Sequence, residues 1–203
     1  DWLLKSHPLI SKKKRTLDHW LVPMLTALVL GMPLYLLRMN ALWWVGFSVG
    51  GLLLVLVFWS EYVVVSPGDV NYPTAMVVLT VLSFALYLIL AMILRYSEAR
   101  LFFLLPMTFL STFLVSLRTL NLRLGGRWEI AWALGIALVG SQLAAGLHYL
   151  PVTPVYYGVI LLSVLYGLTT LVASLLEGIP LRRALVEPGI MLFSLMVLGI
   201  WLH

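Results

Sequence analysis

The sequence has no cysteine and little charge. Its 203 residues include 13 Lys or Arg and 8 Asp or Glu. Without Cys there can be no disulfide, thiolate nucleophile, Cys-ligated zinc or iron–sulfur cluster, and the redox compartment cannot be read. Asn40, Asn71 and Asn121 all have the wrong following residues for an N-glycosylation sequon. Every Lys lies at position 14 or earlier, which excludes a Schiff-base lysine in a late helix. Glycine-rich phosphate loops, D-x-x-D and H-E-x-x-H patterns are absent as well.

Apolar residues dominate instead, at 62% against 10% charged. A soluble domain is about 45–50% apolar and about 25% charged. Too little polar surface remains to cover a water-soluble globule of this size. An ordinary cytosolic domain, a disordered chain and a nucleic-acid module are therefore excluded. The composition reads as a polytopic membrane protein.

Crossing the hydrocarbon takes about 20 apolar residues in a helix. Seven segments approach that length: 19–38, 41–63, 73–94, 101–117, 128–149, 154–175 and 185–202. Their runs are continuously apolar rather than alternating, which predicts helices and not barrel strands. The fold class is thus an all-α transmembrane bundle. A basic cytoplasmic tail over 1–18 precedes a single membrane domain over 19–203. The first apolar run follows basic residues as a signal peptide would, but it is long and Met39-Asn40-Ala41 offers no small-x-small cleavage site. It reads as a retained helix. The chain begins at Asp1 rather than Met, and its native start is left open. The seventh segment is the shortest in clean apolar length, with Glu187-Pro188-Gly189 in its first turn.

Orientation follows from Lys and Arg placement. With the N-terminus inside, the inner side collects Lys5, Lys12, Lys13, Lys14, Arg15, Arg118, Arg123, Arg127, Arg182 and Arg183. The outer side holds Arg38, Arg95 and Arg100. This bias predicts a cytoplasmic N-terminus and an outer C-terminus in a bacterial-type inner membrane. The cluster Lys12, Lys13, Lys14 and Arg15 is also placed to meet anionic lipid headgroups. Trp20, Trp43, Trp44, Trp59, Trp128, Trp132 and Trp201 fall near span ends, where indoles favour the headgroup level.

Several constellations carry candidate chemistry. Gly46 and Gly50 form a GxxxG, and Gly135, Gly140 and Gly167 share small-xxx-small spacing. Such spacing lets helix backbones approach closely in lipid. The expected use is packing within the chain, with a homo-oligomer or a membrane-complex partner as the alternative. Gln142 is the one strongly polar side chain well inside a span. Ser83, Tyr87, Ser111, Thr112, Ser116, Ser141, Tyr166, Thr169 and Thr170 are milder. No Asp, Glu, Lys or Arg falls in the central third of any predicted span, where ion-coupled carriers and proton relays usually place one. Glu129 and Glu187, with Arg127, Arg182 and Arg183, gather where spans meet the inner interface. Carboxylates beside arginines could serve a headgroup enzyme, but interfacial ion pairing is the simpler reading. His148 and His203 lie at outer span ends, and two histidines fall short of a metal site. No metal or cofactor is expected.

The stretch from Gly146 to Pro188 contains Leu147-His148-Tyr149-Leu150-Pro151-Val152-Thr153-Pro154 and Leu176-Glu177-Gly178-Ile179-Pro180-Leu181-Arg182-Arg183-Ala184-Leu185. It resembles an uncharacterised family of bacterial polytopic membrane proteins. The resemblance implies a membrane-helical fold and carries no activity or site residue with it.

Three functional readings follow. The first is a non-catalytic membrane scaffold or accessory protein that binds lipid or another apolar molecule between helices. The second is an enzyme acting on lipid headgroups through Glu129, Glu187 and the three arginines. The third is a small-solute or lipid transporter with Gln142 facing a cavity.

Overall fold

The computed structural model describes residues 21–36, 41–64 and 71–201. Side chains at 32, 33, 35, 36, 42, 195, 196 and 198–201 are outside that description. The basic tail, the Arg38-Met39-Asn40 hairpin, the Ser66-Pro67-Gly68-Asp69 turn and His203 also lie outside the described residues.

The described chain is helical, with α1 over Leu21–Leu36, α2 over Ala41–Val64, α3 over Tyr72–Tyr96 and α4 over Leu101–Arg123. It continues with α5 over Ile130–His148, α6 over Pro154–Leu176, the short α7 over Leu181–Ala184 and α8 over Val186–Trp201. No strand occurs among the described residues. Five helices, α2 to α6, are long and apolar enough to cross a membrane. Five such helices mark a multi-pass membrane protein. The helices α1 and α8 are each 16 residues long over their described bounds. At 1.5 Å per residue that is about 24 Å, short of a hydrocarbon core of about 30 Å.

The largest change from the sequence expectation is in α4. Its predicted span ends at 117, with Arg118 and Arg123 in a loop. The helix instead runs on to Arg123. Leu120 and Leu122 of this extension are buried, as is Leu117 just before it, and Arg118 is buried with them at 2% exposure. Apolar packing therefore continues a turn and a half beyond the first charge. Arg118 Nη1 donates to Asn121 Oδ1 at 3.3 Å. Glu61, near the end of α2, is fully buried.

The chain falls into two compact units, residues 1–83 and 84–203. In the first, α1 and α2 form a hairpin. A Cβ at Gly46 would meet Leu34 at 3.6 Å, and one at Gly50 would meet Leu30 at 3.0 Å. The GxxxG of α2 thus faces α1. Trp43 Nε1 donates to the Leu34 carbonyl at 3.1 Å, tying the two helices near their connection. Trp44, Phe47, Leu52 and Val55 of α2 are exposed, as a lipid-facing surface requires.

In the second unit α4 packs on α5, α5 on α6, and α6 on both α4 and α8. A Cβ at Gly140 would stand 3.0 Å from Thr112, so this glycine admits α4 against α5. Gly167 plays that part for α8, with Leu192 at 3.3 Å and Pro188 at 3.7 Å from its Cβ position. Gly135 differs: no atom lies within 4 Å of its Cβ position. Gly46, Gly50, Gly140 and Gly167 thus lie close to side chains of a neighbouring helix, and Gly135 has open space at its Cβ position.

Candidate functional site

The second unit has two polar ends. At one, α3 ends where α4 begins, and α5 ends where α6 begins. The link between α5 and α6 contains Pro151, and Pro154 opens α6. Proline has no N–H, so this segment is short of donors while its carbonyls still need partners. Arg95, in the last turn of α3, supplies them. Its Nη1 donates to the His148 carbonyl at 3.0 Å, Nη2 to Leu150 at 2.8 Å and Nε to Val152 at 3.4 Å. The guanidinium therefore sits at the negative end of α5, where a cation is favoured. It also lies 5.8 Å from the centre of the Tyr157 ring, within cation–π range.

An open cleft of about 590 Å³ lies beside this staple, lined by Arg95, Tyr96, Glu98, His148, Val152 and Pro154. Glu98 holds a left-handed backbone at φ 48°. It closes the α3 terminus through Ala99 N–H to the Leu94 carbonyl (3.4 Å) and its own N–H to Arg95 (3.3 Å). Glycine usually takes that position. His148 stands edge-on to Tyr149 with ring centres 5.5 Å apart. No group of three or more metal-ligating side chains occurs among the described residues.

At the opposite end, α4 and α6 terminate and α7 and α8 begin. Arg123 Nε pairs with Glu177 Oε1 at 3.0 Å, and its Nη2 donates to Ser174 Oγ at 3.3 Å. Gly178 at φ +81° ends α6, with Ile179 N–H bonded to the Ser174 carbonyl and Gly178 N–H to Leu175, both at 3.0 Å. This Schellman closure turns the chain directly into α7. Arg127 approaches Glu129 at 3.5 Å. The Tyr166 hydroxyl donates to Glu187 Oε1 at 3.1 Å.

The residues expected to form an inner cluster are thus divided among separate contacts. Glu129 has Arg127, a neighbour in its own loop, whereas Glu187 has Tyr166 of α6. Arg182 and Arg183 are exposed on α7 and take no carboxylate partner among the described residues. Gln142 projects from the exposed side of α5.

A model of a family described as protein of unknown function, DUF5656, matches residues 1–202. The chain belongs to the DUF5656 family. No curated protein and no solved structure matches it. The resemblance read from Gly146 to Pro188 therefore widens to nearly the whole chain.

In this DUF5656 chain two polar anchors escaped the sequence reading. By charge placement alone Arg95 is only an outer cation and Arg123 only an inner one. A signal for Arg95 did exist, because a cation in a helix's last turn and a donor-poor proline link are chemically complementary. Only the fold reveals that they meet, since Arg95 and Leu150 are 55 positions apart. Arg123 carries no such signal, because the charge at Arg118 marks a span end before the helix itself stops at Arg123.

Proposed function

We propose that this DUF5656 protein is a non-catalytic integral membrane scaffold or accessory protein that holds anionic lipid headgroups at its inner end. One observation carries the reading. Arg95, Arg118, Arg123 and Arg127 are engaged by protein groups, whereas Arg182 and Arg183 are left exposed on α7. Beside them Leu181, Leu185 and Val186 are exposed by 55%, 48% and 56%. Cations next to exposed apolar side chains suit the boundary between headgroups and acyl chains. Arginine is also the side chain best shaped to grip a phosphate in two-point fashion.

The same reading places seven helices across a bacterial-type inner membrane, counting α1 and α8, with the N-terminus cytoplasmic and the C-terminus outside. Its support is the positive-inside bias together with the gathering of Arg118, Arg123, Arg127, Arg182 and Arg183 at one end of the second unit. Short helices such as α1 and α8 can cross where the bilayer thins locally. Lys12, Lys13, Lys14 and Arg15 would add to the inner-face attraction for anionic lipid.

The test is native mass spectrometry of the full chain released from nanodiscs of mixed phosphatidylglycerol and phosphatidylcholine. Wild type should retain phosphatidylglycerol preferentially, and Arg182→Gln with Arg183→Gln should lose that preference. Equal retention by wild type and the double variant would overturn the lipid assignment. Because the chain has no Cys, a single Cys at Gly178 reports orientation. It should react with an impermeant maleimide only after the membrane is opened.

A further inference from the structure

Most of the mid-span polar side chains singled out from the sequence are satisfied by groups of the chain itself. Ser83, Ser111, Thr112, Ser116, Ser141, Thr169 and Thr170 each donate to a carbonyl of their own helix. The Tyr87 and Thr112 hydroxyls meet at 3.2 Å, and Tyr166 has Glu187. Hydroxyls on a helix can satisfy themselves this way without help from a neighbour. Ser60 Oγ and Thr119 Oγ1 are buried without a partner among the described residues, whereas Gln142 lacks one on the outer side of its helix. Among the described residues its amide has no hydrogen-bond partner, and it is exposed.

Its position makes that costly. Gln142 is three residues past the midpoint of α5 and six before the helix ends at His148. At 1.5 Å per residue the nearer end is about 9 Å away. A glutamine side chain cannot span that distance to reach water. Lipid tails offer no hydrogen-bond partner either, so an amide facing them stays unsatisfied.

The surface around Gln142 is shaped for a second helix. Going round α5, Ala133, Ile136, Ala137, Gly140, Ser141, Ala144 and Leu147 make the buried face. Opposite them run Ala131, Gly135, Leu138, Gln142 and Gly146, all exposed. Their spacings of four, three, four and four keep them on one stripe, with Gln142 near its centre line. Gly135 and Gly146 have no atom within 4 Å of their Cβ positions. A partner backbone could approach closely there.

We infer that this stripe of α5 is the interface with a second copy of the same chain. The amide selects that occupant. It carries both donors and an acceptor, and a two-fold axis sets each residue of an interface against itself or a near neighbour. Gln142 can then donate to, and accept from, its twin. The result is a homodimer of α5 helices joined by an amide pair at mid-membrane.

The absence of native Cys makes the test direct. Single Cys variants at Gly135, Leu138, Gln142 and Gly146 are oxidised in native membranes and scored for disulfide dimer. Flanking variants at Ile130 and Leu143 and a variant at Leu52 of α2 are scored alongside. Dimer should form along the stripe and fall sharply at the flanking positions and at Leu52. Separately, the dimer dissociation constant is measured in lipid for wild type, Gln142→Leu and Gln142→Asn. Leucine on a lipid-facing site leaves the fold intact, checked by unchanged thermal unfolding of the monomer. Gln142→Leu should weaken the dimer about three- to thirty-fold, with Gln142→Asn close to wild type. The inference is overturned by a strictly monomeric chain, by cross-linking equal at stripe and flanks, or by a Gln142→Leu dimer as tight as wild type. Cross-linking at Gln142 to a different protein would also overturn it.

Discussion

Arg95 Nη1 donates to the backbone carbonyl of His148 at 3.0 Å, joining the end of α3 to the end of α5 across 53 positions of sequence. The same guanidinium reaches Leu150 and Val152. One side chain thus serves three carbonyls in a link where Pro151 cannot donate. Arg95→Ala should destabilise the protein by about 1–3 kcal/mol. Arg95→Lys should recover only a small part, because an ammonium lacks the planar fork that reaches several acceptors. Thermal unfolding in detergent would measure both. Proteolysis at 149–153 should rise in parallel, and an unchanged cleavage rate would count against the staple.

Arg123 and Glu177 form the corresponding tie at the opposite end, with side chains 30% and 33% exposed. Solvent screens such a pair. A double-mutant cycle with Arg123→Gln and Glu177→Gln should give a coupling of only about 0.2–1 kcal/mol. It should shrink as salt rises. A larger, salt-independent coupling would mean the pair is drier than its exposure implies.

Gly158 sits where α6 meets α3. A Cβ there would stand 2.9 Å from Met92 Cγ, 3.0 Å from Leu88 Cδ1 and 3.4 Å from the Leu88 carbonyl. The two side chains can shift for a methyl group, but the backbone carbonyl cannot move freely for a larger one. Gly158→Val should cost about 1–3 kcal/mol by overpacking, and Gly158→Ala appreciably less. Gly135→Ala meets open space in the monomer and should not destabilise it. Comparing the three by thermal unfolding separates a close approach from ordinary glycine cost.

Glu98 occupies a left-handed position that glycine favours, at φ 48°. Glu98→Gly should therefore stabilise the α3 terminus by about 1 kcal/mol, the usual order of the left-handed penalty. A loss of stability on this change would show that the carboxylate has a compensating contact at the cleft.

Composition and the length of the apolar runs fix the class of the protein. Sixty-two per cent hydrophobic residues in continuous runs leave only membrane helices, because backbone groups in lipid must be satisfied within each segment. The α5 and α6 bounds were legible to within two residues, since Glu129, Thr153 and Glu177 are adjacent in sequence to the runs they close. The end of α4 was not. A charge reads as the end of a span, whereas Leu120 and Leu122 pack on past Arg118. Tertiary structure alone decided which polar groups are spoken for. Arg95 and Arg123 find partners more than fifty positions away, Glu129 and Glu187 go to different neighbours, and Gly140 faces α4 while Gly135 faces outward. Sequence spacing shows which residues share a side of a helix, but only packing shows what that side meets. That is why Gln142, conspicuous from the start, could be read as an interface residue only once its exposed side of α5 was known.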